Sequence, residues 1–179
     1  MKKIISIITI FMITICKSQT IVPLFGSSHA TEIGYYYKDM DNSLNQYEGT
    51  WLYTSGTTSL KIVFTKRLKI PTRSPHGNYF SDVLVGEYEY YENGILKINT
   101  LSNLNVNHDD VFDYNLSGIT RISKDIYPKC LDCAVNEYRM KFYFTEPAYK
   151  DYHGFGSYML IRTVTENGVA KLKLSFIEG

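Results

Sequence analysis

Tyr47-Glu48-Gly49-Thr50-Trp51-Leu52-Tyr53 is the stretch whose reading decides the fold. It holds the only tryptophan of the chain and opens a long series of strand-like segments. Aromatic and β-branched residues suit a pleated, half-buried surface, and sixteen tyrosines with nine phenylalanines tilt the whole chain towards sheet.

Eight strands follow from the alternation of apolar and polar positions. The first is Glu48 to Thr54, closed by a short turn at Ser55-Gly56-Thr57. The second is Thr58 to Lys66, with Leu60, Ile62 and Phe64 on one face. Pro71, Pro75 and Gly77 mark Leu68 to Tyr79 as a loop. The third strand is Asp82 to Glu92, where Gly86 predicts a kink or bulge. Asn93-Gly94 is a strong hairpin signal leading into the fourth, Ile95 to Leu101. A fifth centres on Gly118 to Ile122 and a sixth runs from Glu137 to Thr145. The seventh, Ser157 to Thr165, turns at Glu166-Asn167-Gly168 into the eighth, Val169 to Ile177.

The expected fold is all-β: an antiparallel eight-strand meander curled into a lipocalin-like barrel, since closure removes the edges. A two-sheet β-sandwich is the alternative. The expected organisation is a signal peptide over 1–18, an irregular leader over 19–46, and one barrel-like domain over 47–179. Within the leader, Ile33 to Lys38 can pair as an edge strand.

Lys2 and Lys3 precede the apolar run Ile4 to Ile15, which is too short to span a bilayer. Cleavage after Ser18 leads to a secreted or periplasmic protein. The alternative is an outer-membrane lipoprotein acylated at Cys16, against which stands the bulky Ile15 before it. Lys2, Lys3 and Lys17 leave with the signal, so 16 basic residues face 18 acidic ones in the remaining 161. That balance carries no electrostatic footprint for nucleic acid. No other hydrophobic run is long enough for a membrane span.

Two resemblances arise from these residues. The signal ending Cys16-Lys17-Ser18-Gln19, then Gln46 to Trp51, Tyr79 to Tyr88 and the Leu172-Lys173-Leu174 ending resemble a family of small secreted Bacteroidetes proteins of unknown function. That resemblance implies no activity. Locally, Gly49-Thr50-Trp51 at the start of a strand meander resembles the lipocalin-type (calycin) signature. This implies a barrel holding an apolar ligand, with Trp51 closing one end and Arg162 of the seventh strand packing over it. The ligand-binding candidates on this reading are Trp51, Tyr53, Tyr88 and Arg162. A Trp that merely anchors the core is the simpler role for Trp51.

Other motifs carry less chemistry. Cys130-Leu131-Asp132-Cys133 has no second ligand pair, so a local disulfide in an oxidising compartment is the simplest reading. Free thiols or a metal pair are the alternatives. Asn103 to Asp110 resembles a calcium loop but lacks the required Gly and Glu positions. Glu87 and Glu89 share a face that reads as the wet one. His29, His76, His108 and His153 are scattered. His153, Asp109, Asp110 and Asp113 would have to converge to make a hydrolase. Tyr35, Tyr36, Tyr37, Tyr53, Tyr88, Tyr90 and Tyr91 suit either an interaction surface or plain strand positions. No catalytic residue, metal site or cofactor is expected. The expected function is a non-catalytic binding module for a small apolar ligand. The alternative is a structural or interaction protein with an envelope partner.

Overall fold

In the computed structural model the described residues are 18–26, 32–74, 77–149 and 157–177. The expected signal peptide and Cys16 lie outside them, as do Pro75, His29, His76 and His153. Ten strands form one sheet among the described residues: β1 Ile21–Pro23, β2 Tyr36–Lys38, β3 Gly49–Ser55, β4 Thr58–Ser74, β5 Gly77–Glu92, β6 Ile95–Asn99, β7 Leu116–Ser123, β8 Tyr138–Phe144, β9 Ser157–Glu166 and β10 Val169–Ile177. There is no α-helix among them, only short 3₁₀ turns, and so no helix long and apolar enough to cross a membrane.

The long hairpin β4–β5 is the spine. β4 runs beside β5 from Ser59↔Tyr91 to Ser74↔Gly77, with one irregularity between Arg67 and Ile70. The expected loop over 68–79 is therefore a continuation of both strands. Pro71 is tolerated there because β3 pairs only as far as Phe64, which leaves that part of β4 an edge where a missing N–H costs nothing.

The far edge of β5 is shared by three strands in succession. β2 pairs at Phe80 and Ser81, β7 at Leu84 to Gly86, and β6 at Glu89 to Glu92. From β7 the sheet continues through β8 and β9 to β10. β3 ends the sheet on one side and β10 on the other, and no ladder joins them among the described residues. The sheet is thus a curled, open half-barrel, which corrects the expected closed eight-strand barrel. Pairing is not purely antiparallel either, since β1 and β2 are parallel, and so are β2 and β5.

The leader packs inside the curl of the sheet. Leu44 and Tyr47, on the turn just before β3, are buried in the concave face with Ile62, Phe64, Leu84, Leu116, Met140, Phe142, Met159 and Ile161. Leu24 and Phe25 pack against the same cluster. The sheet wraps around its own leader, whose side chains occupy much of this end of the interior. Burying each large apolar side chain contributes about 1.5–3 kcal/mol.

Polar groups lock the leader in place. Tyr36 donates its hydroxyl to Asp82 Oδ1 at 2.6 Å, and Asp82 Oδ2 accepts from the Asp39 N–H at 3.0 Å. Asp39 in turn accepts from Lys66 Nζ at 2.6 Å and from the Leu44 N–H at 3.1 Å. Both carboxylates are buried. Such groups are tolerated inside only when fully hydrogen-bonded.

Gly86 does not kink β5, which stays in register across it. A Cβ there would come within 2.6 Å of the Phe64 ring. The glycine makes room for that ring in the core.

The convex face is covered in two places. Residues 101–115 lie over Val83 and Val85, bringing Val111 and Tyr114 into a second cluster. Residues 124–137 lie over β8 and β9, where Arg139 donates to the carbonyls of Ser123, Ile126 and Pro128.

Candidate functional site

The strand alternation that fills one end of the concave face leaves the other end open. Leu60 and Ile62 of β4, Tyr88 and Tyr90 of β5, Leu116, Phe144, Met159 and Phe176 line a trough of about 380 Å³, closed on one side by Ile98 and Glu146. The lining is mostly apolar because each of these positions belongs to the inward row of its strand. Phe144 stacks near Tyr88, with ring centroids 5.4 Å apart, and meets Phe176 edge-on at 5.2 Å. Phe176 stays more than half exposed, so the trough opens to solvent beside β10.

Tyr88 and Glu146 of this lining carry polar groups. The Tyr88 hydroxyl oxygen is buried and no protein group bonds it. Burial first, then the nearby carboxylates of Glu146 and Glu87, push its phenol above the ordinary value. It therefore remains a neutral O–H that can donate. Glu146 follows β8 and lies in the trough wall. Sequence alternation locates most of the apolar lining, but Glu146 lies in a loop where no periodicity operates.

The sequence-derived candidates separate. Tyr88 lies in the trough. Trp51 is half-buried against the core and donates its indole N–H to the Tyr47 carbonyl at 2.9 Å. It therefore anchors the leader turn to β3. Tyr53 is exposed, at 60%. Arg162 does not pack over Trp51. It alternates with the core residue Ile161 and so points to the convex face. There it bonds Glu137 Oε1 at 2.7 Å and Asp132. Burial alone would lower its pKa, but Glu137 and Asp132 outweigh that and raise it. Arg162 holds the 124–137 segment down.

That segment carries the Cys130–Cys133 disulfide. Cys130, Asp132 and Cys133 bring donor atoms within 4.8 Å of one another. The sulfurs are bonded to each other, however, and Asp132 is engaged with Arg162 and Lys173. This donor set does not fit a metal thiolate centre.

Glu87 is not on a wet face. It is fully buried under residues 101–115, with Oε1 accepting from Asn103 Nδ2 at 2.7 Å and from the Asn115 N–H at 3.0 Å. Glu89 instead pairs with Lys61 at 2.7 Å. Asn103 also meets His108 Nε2 at 2.7 Å, and Asp110 caps the Phe112 N–H. The stretch read as calcium-loop-like therefore spends these side chains on its own packing. The tyrosines do not form one common surface: Tyr36 and Tyr37 are buried, Tyr88 and Tyr90 line the trough, and Tyr53 is exposed.

A family model described as "Family of unknown function (DUF6705)" matches residues 1–178, and the chain belongs to that family. No curated protein and no solved structure matches the chain.

Proposed function

We propose that this DUF6705 protein is a binding module whose half-barrel trough takes a small, uncharged, largely apolar ligand. The observation that carries the reading is the trough itself. Small-molecule sites are concave, mostly apolar, and begin at about 300 Å³. Here about 380 Å³ is walled by Leu60, Ile62, Leu116, Phe144, Met159 and Phe176. Tyr88 belongs to the same lining, and its hydroxyl, buried without a protein partner, is the donor this reading assigns to the ligand's acceptor atom.

Charge narrows the ligand. Glu146 in the wall disfavours an anionic head group such as a fatty acid carboxylate. A neutral ligand with one acceptor atom suits both polar groups. This replaces the lipocalin-like lumen with an open site and leaves Trp51, Tyr53 and Arg162 outside it. A secreted or periplasmic location remains part of the proposal, resting on the basic start and the apolar run of residues 1–18.

The test is a fluorescence titration with the neutral probe N-phenyl-1-naphthylamine, repeated with Leu60→Lys. Leu60 is only partly buried, so the variant folds while placing a charge in the trough. Saturable binding that Leu60→Lys abolishes supports the site. Absent saturation, or equal binding by the variant, refutes it.

A further inference from the structure

The structure assigns a second, chemically different site to the leader end of the half-barrel: we propose that Arg121 there binds the carboxylate of a small organic acid of the α-amino or α-hydroxy class.

The site starts from an irregularity in β7. Between Ser117 and Thr120 the register with β8 shifts. A Cβ on Gly118 would come within 2.5 Å of the Lys141 carbonyl oxygen, so the backbones approach closely there. A bulge of this kind turns the following side chains to the opposite face. Uninterrupted alternation from Leu116 would send Ile122 inward. Instead Arg121 stands opposite the core residue Met140, and Ile122 opposite Arg139 on the convex face. The bulge aims a guanidinium into the concave side.

Arg121 is held there by aromatic rings. Its guanidinium carbon lies 4.1 Å from the Tyr138 centroid and 4.7 Å from that of Phe25. Among the described residues no hydrogen bond or ion pair takes up its N–H groups. On the convex face, by contrast, Arg139 donates to the carbonyls of Ser123, Ile126 and Pro128, and Arg162 to the carboxylates of Glu137 and Asp132. Arg121 is fixed by stacking and keeps its donor fork available, the arrangement that suits bidentate carboxylate recognition.

The fork opens into a pocket of about 290 Å³ lined by Ser43, Gln46, Tyr47, Asn136, Tyr138 and Thr163. These polar side chains suit a ligand with its own hydrogen-bonding substituent. Burial above all pushes the Tyr47 phenol up to about 12, so it stays a neutral donor. Asp41 and Glu137 also line the pocket. Glu137 is occupied by Arg162 and the Ala134 N–H. Asp41 accepts from the Ser43 N–H at 3.4 Å. Two carboxylates beside one arginine disfavour a dianion such as phosphate and accept a monoanion. An ammonium or hydroxyl next to the bound carboxylate would meet Asp41.

Trp51 provides the readout, because the only tryptophan donates to the carbonyl of Tyr47 in the pocket wall. The protein is titrated with L-serine, L-lactate and inorganic phosphate, following Trp51 emission and binding heat. Saturable binding of serine or lactate, with phosphate weaker, is expected. Arg121→Lys is expected to weaken binding by at least about tenfold, because an ammonium cannot fork. Arg121→Gln is expected to abolish it, with thermal unfolding checking that each variant folds. Asn136→Phe fills the pocket from an exposed turn, keeps Trp51 the only tryptophan, and is expected to abolish binding without touching the core. The proposal is overturned if neither acid binds saturably, if phosphate binds as tightly, or if Arg121→Gln or Asn136→Phe binds as the parent does.

Discussion

The hydroxyl of Tyr36 donates to Asp82 Oδ1 at 2.6 Å across 46 positions of sequence. This bond ties a short leader strand to the middle of β5, and the Asp39 and Lys69 N–H groups converge on the same carboxylate. The leader is thereby part of the core and not an appendage to it.

Removing the donor tests that relationship. A hydrogen bond to a charged group contributes about 1.5–3 kcal/mol, so Tyr36→Phe is expected to lower stability by that amount in urea unfolding. Asp82→Ala removes the acceptor of three donors and is expected to cost more.

Acid should release the same clasp from the Asp39 side. Burial alone would raise the Asp39 pKa, but bonds from Lys66, Leu44 and Ser43 outweigh it and hold it below the ordinary 3.8. A carboxylate depressed in the folded state adds stability that is fully present above the unfolded pKa. That stability is lost as pH falls through the folded one. The melting temperature is therefore expected to drop below about pH 4. Asp39→Asn should melt lower at neutral pH and show a flatter acid limb.

Gly86 and Phe64 form a steric pair, with the ring where a Cβ would stand. Gly86→Ala overpacks the core and is expected to cost about 1–3 kcal/mol. Phe64→Ala leaves a cavity and is expected to cost about 3–5 kcal/mol. The double variant should cost less than the two together, because the missing ring relieves the clash. Denaturant unfolding of the three proteins measures the coupling.

The Tyr88 hydroxyl is the stability–function test of the trough. It is buried without a partner, so Tyr88→Phe should be neutral or stabilising by up to about 1 kcal/mol. The same change should weaken ligands carrying an acceptor atom while leaving N-phenyl-1-naphthylamine almost unaffected. Paired melting curves and titrations separate the two effects.

Strand positions were legible because their signal is local. Alternation placed the last strand at Val169 to Ile177, as found, and Asn93-Gly94 placed the β5–β6 turn. Two spaced cysteines indicated the disulfide. Pro71 misled because a proline reports only a missing N–H, and whether that N–H faces a neighbour depends on where β3 stops.

The sequence by itself determined an all-β chain, most strand boundaries and which residues of each strand share a face, since a two-residue period needs no distant partner. Tertiary structure alone decided the rest. The leader residues Leu44 and Tyr47 pack into the concave face of a sheet that stays an open half-barrel. The bulge in β7 turned Arg121 inward, and residues 101–115 folding over β5 buried Glu87. Each outcome depends on contacts between segments far apart in sequence. Trp51 shows the division most plainly: its strand was legible, whereas its partner, the Tyr47 carbonyl and not Arg162, was set by how the leader packs.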